Sequence, residues 1–219
     1  MNLTSQLRQR LERDLSLEDL LPDELPVYVS AYVYLFGIAT LASLVFMILS
    51  GVLLALAGPT WWHGSSLGHF VNSVHFWSVQ AFFFFMVLHL WTTFFQGAWR
   101  EGRGATWALG AVCFFIGIGT AFTGYVIQQN FAAQWIAVEA KDAMNAIGVG
   151  ALFNVLNFGQ MYGWHIAVMP AILVVLVAWH LLLVRFRGVV RPYETENLVQ
   201  KLIENVVVPD PSKRKEVQP

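Results

Sequence analysis

The sequence predicts an all-α integral membrane protein: a bundle of four transmembrane helices with an amphipathic surface helix ahead of it. Three observations lead there. Of the 219 residues 57% are hydrophobic and only 12% are Asp, Glu, Lys or Arg, well outside the balance of soluble domains. The few charges are crowded together: none lies between Glu24 and Arg100, between Arg103 and Glu139, or between Asp142 and Arg185. The uncharged stretches show no strand-like alternation, and backbone in lipid must satisfy its own hydrogen bonds, which helices do and isolated strands do not.

Each element follows in chain order. Residues 1–30, opening MNLTSQLRQRLERDL, are charged and amphipathic and lack the short apolar core and cleavage site of a signal peptide. The segment is expected to stay on the mature protein and lie along the membrane surface, with a short solvated helix as the equal alternative. A hydrocarbon core of about 30 Å takes roughly 20 apolar residues per helix. That length places spans at 31–57, 73–96, 106–127 and 161–184 within a membrane domain of 31–192. His63 and His69 fall in the first outer loop as interfacial polar residues, and 130–160 form a long outer loop holding a short surface helix. Lys and Arg are retained on the cytoplasmic side. Arg8, Arg10 and Arg13 precede helix one, Arg100 and Arg103 join helices two and three, and Arg185, Arg187 and Arg191 follow helix four. Both termini are therefore expected on the negative, cytoplasm-like side. Residues 193–219 form a polar tail that is expected to be disordered from Pro209. Cys113 stands alone in helix three, so no disulfide can form within the chain, and it reads as a small packing side chain. Nothing indicates nucleic acid.

Histidines inside apolar spans carry the chemistry. His75 and His89 are 14 residues apart on helix two, and His165 and His180 are 15 apart on helix four. At 1.5 Å per residue, each pair spans roughly 21 to 22 Å, and its members return to within about 40° to 60° of one face. The loop charges make helices two and four co-directional. His75 and His165 then share an outer level, and His89 and His180 an inner one. Two facing imidazoles per level suit a six-coordinate haem iron, giving an outer and an inner haem. One such histidine alone would read equally well as a hydrogen-bonding helix contact; the matched pairs do not. Gly37 and Gly51, and again Gly110 and Gly124, repeat the 14-residue spacing, and glycine permits close approach to the backbone, as a flat macrocycle in a crowded bundle requires. Small-residue helix packing is the alternative for any single one.

On these residues the chain resembles the cytochrome b/b6 family of quinol–cytochrome c and quinol–plastocyanin reductases, over roughly residues 8–192, with a length like that of cytochrome b6. The four histidines are similar to the family's haem ligands and the four glycines to its haem-contact glycines. Thr123-Gly124-Tyr125 resembles the TGY closing its third helix. Pro170 and Arg185 each follow a ligand by five residues, as in cytochrome b6, and Arg103 and Trp107 fall where the family has an Arg and a Trp. There are departures. The TGY continues into Val126-Ile127-Gln128-Gln129 instead of SLPW, ahead of a shorter outer loop. Asn72 and Phe76 replace basic residues beside the first ligand, removing partners for the outer haem's propionates. Leu35 stands where cytochrome b6 has the cysteine that tethers an extra haem.

The resemblance implies two non-covalent b-type haems, no covalent c-type haem, and quinol or quinone as substrate. It implies an electron path from a quinol oxidised near the outer face, through His75 and His165, to His89 and His180 and an inner quinone. Each crossing works against the membrane potential, about 2.3 kcal/mol per 100 mV. Tyr125 and Arg185 are the quinone-site candidates. Arg185, Arg100 and Arg103 are candidates for propionates or quinone, with positive-inside anchoring as the equal alternative. Glu139, Lys141 and Asp142 read as solvated charge ahead of a proton path. Trp77, Phe82 to Phe85, Trp164 and Trp179 read as packing or lipid-facing residues. The implied partners are a separate C-terminal cytochrome b half like subunit IV, a Rieske-type iron–sulfur protein and a c-type cytochrome, in a dimeric complex of an energy-transducing membrane, the bacterial plasma membrane ahead of the thylakoid. Two competing readings remain. One is a b6-like anchor linking another redox complex to the quinone pool, favoured by the altered residues after Tyr125. The other is a non-redox membrane protein using its histidines for protons or packing.

Overall fold

A computed structural model describes residues 32–190; the expected surface helix within 1–30 and the tail at 193–219 lie outside the described residues. Those residues form helices and turns only. They are α1 (Tyr32–Ala57), α2 (Pro59–Gly64), α3 (Ser66–Phe95), α4 (Gly104–Val126), α5 (Phe131–Ala146), α6 (Phe158–Gly163), a π turn at Trp164–Val168, and α7 (Met169–Arg187). Four helices are long and apolar enough to cross a membrane, the fourth running unbroken from Phe158 to Arg187 through α6, the π turn and α7.

Span boundaries follow local chemistry. Gly58 adopts φ +79° and Pro59 begins α2, so α1 stops there and the chain turns along the outer rim. Ser65 then caps α3, its hydroxyl accepting from the Gly68 amide at 2.9 Å. Helix two thus begins seven residues before the expected 73, and His69 belongs to its first turns. The His69 ring Nε2 lies 2.9 Å from the His63 carbonyl, which keeps both histidines at the outer rim. Asn130 caps α5 through the Ala133 amide and Asn157 caps α6 through the Gln160 amide, extending the fourth span before residue 161. Gly188, at φ +65°, ends α7 past the expected 184.

The π turn has an identifiable cause. Pro170 has no amide hydrogen, and its ring crowds the carbonyl four residues back. The Met169 amide reaches to the Trp164 carbonyl, five residues back, so one extra residue is absorbed within a turn.

The bundle is two antiparallel pairs, α1 against α3 and α4 against α7. Its mid-depth core joins Leu44, Phe82, Met86, Cys113 and Leu173, with Phe83, Phe114 and Leu176 packed around them. Cys113 is buried there, in the packing role expected of it. A second core of Val126, Ile127, Ala137, Val155 and Met161 seats α5 on the outer end. Two links cross between the pairs at that end: the Tyr162 hydroxyl donates to the Ala55 carbonyl at 3.3 Å, and the Asn72 amide donates to Gln128 Oε1 at 3.3 Å. At the opposite end the Tyr34 hydroxyl donates to the Val190 carbonyl at 2.9 Å.

Candidate functional site

Every one of the four glycines faces one of the four histidines. A Cβ added at Gly37 would stand 3.1 Å from His89 Cε1, at Gly51 3.0 Å from His75 Cε1, at Gly110 2.9 Å from His180 Cε1, and at Gly124 2.9 Å from His165 Nδ1. The glycines therefore make room for the imidazoles themselves, where the sequence suggested room for a macrocycle. The pairing also fixes the layout. Early α1 meets late α3, and early α4 meets late α7, so each pair is antiparallel, with α3 and α7 co-directional.

Removing the Cβ exposes helix backbone to the ring, and the ring uses it. His75 Nδ1 lies 3.0 Å from the Met47 carbonyl, His165 Nδ1 3.0 Å from that of Thr120, and His180 Nδ1 3.0 Å from that of Thr106. Each carbonyl belongs to the residue four before the facing glycine. A carbonyl only accepts, so Nδ1 carries the proton and Nε2 keeps its lone pair for a metal. His89 is the exception: its Nδ1 is buried without a partner. The outer rings each meet a hydroxyl as well, Ser50 Oγ at 3.1 Å from His75 Nδ1 and Thr123 Oγ1 at 3.3 Å from His165 Nδ1.

Across the bundle, the His75 and His165 ring centroids are 6.1 Å apart with their planes at 88°. Two metal–imidazole bonds of about 2.0 Å, each extended roughly 1.1 Å to its ring centre, span roughly 6.2 Å. One metal ion thus fits between them. Among the described residues no three His, Cys, Asp or Glu side chains converge, so each site offers two protein ligands, the number a porphyrin-held iron needs.

The π turn resolves the unequal spacings. It lies at Trp164–Val168, so the 15-residue step from His165 to His180 contains one residue more than a regular helix needs, and behaves as the 14-residue step of α3. The mid-depth core shows the same register. Phe82 lies halfway between His75 and His89, Leu44 between Gly37 and Gly51, and Gly117 between Gly110 and Gly124, while Leu173 lies eight residues after His165 and seven before His180.

The remaining candidates are dispersed. Tyr125, in the last turn of α4, is 39% exposed at the outer end, and Arg185 is in the last turn of α7 at the inner end. Arg103 is committed elsewhere: it pairs with Glu101 at 2.7 Å and donates through Nε to the Gly188 carbonyl at 3.1 Å. Arg100 donates to the Gln96 and Gly97 carbonyls at the end of α3. Both thereby brace the inner turn. Trp107 meets Trp99 edge to face, with ring centroids 5.6 Å apart, and its Nε1 is buried without a partner. Lys141 donates to the Gly150 carbonyl, tying down the outer loop. Trp77, Phe84 and Trp179 face outward, whereas Phe82 is core and Trp164 packs on Phe153. Leu35 is 42% exposed on α1. Asn72, which stands where the family has a basic residue, is paired reciprocally with Gln128; the two departures from the family pattern thus meet each other.

Four helices long and apolar enough to cross a membrane, with buried imidazoles seated on glycines at two depths, define an integral membrane protein of the helical-bundle kind. The chain belongs to the cytochrome b(N-terminal)/b6/petB family, whose model matches residues 80–211, more than half of its length. It is 26% identical over 213 residues to the menaquinol:cytochrome c reductase cytochrome b subunit of Bacillus subtilis, covering 84% of this chain and 95% of that one. It is 25% identical over 136 residues to cytochrome b6 of Heliobacterium modesticaldum, covering 57% of this chain and 64% of that one. It is 27% identical over 202 residues to the cytochrome bc complex cytochrome b subunit of Chlorobaculum thiosulfatiphilum, covering 81% of this chain but 47% of that one. Among solved structures, a chain of a hyperthermophilic respiratory Complex III shares the fold, with a TM-score of 0.64 and 20% identity over 93% of this chain and 63% of that one.

Proposed function

We propose that the chain is the dihaem cytochrome b subunit of a bc-type quinol–cytochrome c reductase, holding an outer b-type haem between His75 and His165 and an inner one between His89 and His180. The observation that carries this is the repeated unit of a glycine and an inward-facing imidazole, twice on each helix pair, in two tiers. The menaquinol:cytochrome c reductase and the cytochrome bc complex named among its relatives support the assembly. Bound haems supply one-electron carriage between the two faces of the membrane.

The chain's own residues do the rest. The Met47, Thr120 and Thr106 carbonyls hold their imidazoles in one tautomer and one orientation. Trp107 Nε1, buried and unpartnered, is a donor suited to an inner propionate together with Arg103, which Glu101 and Gly188 hold at the inner turn. Arg185 at the inner end and Tyr125 at the outer end are the residues proposed for quinone contact. Neither tier has a cysteine beside it, since Cys113 sits at mid-depth, so both haems are held without a covalent tether. A subunit IV-like partner, a Rieske-type protein and a c-type cytochrome complete the complex, which is dimeric, in a bacterial plasma membrane with both termini of the chain inside.

The test is haem counting with reduced-minus-oxidised spectra on the purified protein and on His75→Leu and His89→Leu. Two b-type haems are expected, with one lost in each variant; both retained in either variant removes that ligand. The Asn72–Gln128 pair favours a second reading, a b6-like anchor for another redox complex, because it occupies the outer rim beside the altered sequence after Tyr125. Copurifying subunits decide between the two.

A further inference from the structure

The outer and inner imidazoles are not held alike. Behind the outer rings stand two acceptors each, a carbonyl and a hydroxyl: Met47 and Ser50 for His75, Thr120 and Thr123 for His165. Behind His180 stands the Thr106 carbonyl alone, and behind His89 nothing. The difference is written in the residue ahead of each glycine, Ser50 and Thr123 in the outer tier against Phe36 and Leu109 in the inner.

Hydroxyls in membrane helices ordinarily close on a carbonyl of their own helix, as Thr40, Ser43 and Ser78 do here. Ser50 also closes, donating to the Phe46 carbonyl at 2.7 Å, and Thr123 donates to Thr120 at 2.8 Å. With the hydroxyl proton spent on the backbone, the oxygen presents only lone pairs to the ring. The imidazole Nδ1–H is thus shared between two acceptors, which draws it toward imidazolate character and makes Nε2 a stronger donor to a metal.

We propose that Ser50 and Thr123 are positioning residues for the outer haem, fixing the crossed His75 and His165 planes and favouring oxidised iron between them. This rests on the dihaem reading of the chain. Loss of either hydroxyl shifts the oxidised-to-reduced ratio of the outer haem about threefold toward reduced, a potential rise of about 30 mV at 59 mV per tenfold for one electron. The double variant moves it about tenfold, about 60 mV.

The experiment compares Ser50→Ala, Thr123→Val and their double variant with Ser50→Thr and Thr123→Ser, in the assembled complex. It reads the potential of each haem by spectroelectrochemistry and the low-spin electron paramagnetic resonance of the outer one, identified as the haem missing from His75→Leu. A rise confined to the outer haem, with a moved resonance and both restored when a hydroxyl is kept, supports the proposal. Loss of the outer haem alone, reversed by the hydroxyl-bearing variants, supports it also. An unmoved outer potential in the double variant with two haems present, or an equal rise in both haems, overturns it while leaving the dihaem reading intact. Absence of haem from the unsubstituted protein overturns both.

Discussion

A single methyl group at Gly124 tests the site more sharply than removal of a ligand. In Gly124→Ala the new Cβ would stand 2.9 Å from both His165 Nδ1 and Nε2, with Cε1 nearer still. Ordinary contacts begin near 3.5 Å, so the ring must retreat by about half an ångström or more. Its bond to the Thr120 carbonyl, now 3.0 Å, then passes the usual limit of about 3.2 Å. Losing that bond costs about 1 kcal/mol and overpacking about 1 to 3 kcal/mol, together weakening haem binding at the outer site about thirty- to several-hundred-fold. Haem counting with difference spectra should show the outer haem depleted and the inner one kept. Gly163→Ala is the control, since nothing lies within 4 Å of its added Cβ. Full outer occupancy in Gly124→Ala, or equal depletion in Gly163→Ala, would falsify the idea that the glycines serve the imidazoles.

Three further outcomes are expected. Deleting Ala167 together with Pro170→Ala removes the extra residue of the π turn and should leave two haems bound, whereas deleting Val175 from the regular helix rotates one ligand about 100° past its partner and should cost one haem; the reverse result would show that the turn does not set the register. Thermal unfolding of Asn72→Ala, Gln128→Ala and the double variant should give a coupling of about 0.5 kcal/mol, in keeping with a pair at 3.3 and 3.5 Å, and strict additivity would remove the clasp. Acidified organic solvent should extract all haem from the chain, since Leu35 offers no thiol; pigment left on the polypeptide after extraction contradicts this.

Much of the fold was legible because membrane insertion leaves so few options. The uncharged runs gave four spans, and the second and fourth run in the same direction as the loop arginines predicted. Helix ends were misplaced where polar caps decide them: Ser65 starts α3 and Asn157 starts α6 while hydropathy still wavers. The four histidines and four glycines were visible as matched periods, yet which glycine serves which ring was not, because that depends on contact between helices. The unequal spacing of 14 and 15 was visible but its cause was not, because the π turn forms only in the folded helix; Pro170 was its signal. Ser50 was hidden because a serine in a membrane helix usually bonds only to its own backbone, and Thr123 was read as part of a family motif rather than for its hydroxyl. Arg103 matched a position in the family pattern, while its pairing with Glu101, two residues away, shows only in the structure.

The packing at mid-depth has a consequence for what can cross it. Leu44, Phe82, Met86, Cys113 and Leu173 meet there, and the Cys113 thiol is the one group among these five with a proton to give. A proton wire needs successive donors and acceptors within reach of one another, and these five side chains supply no such succession. These five side chains therefore form an apolar plug between the two levels of imidazoles, a stratum in which any charge placed would stand without a polar neighbour among them.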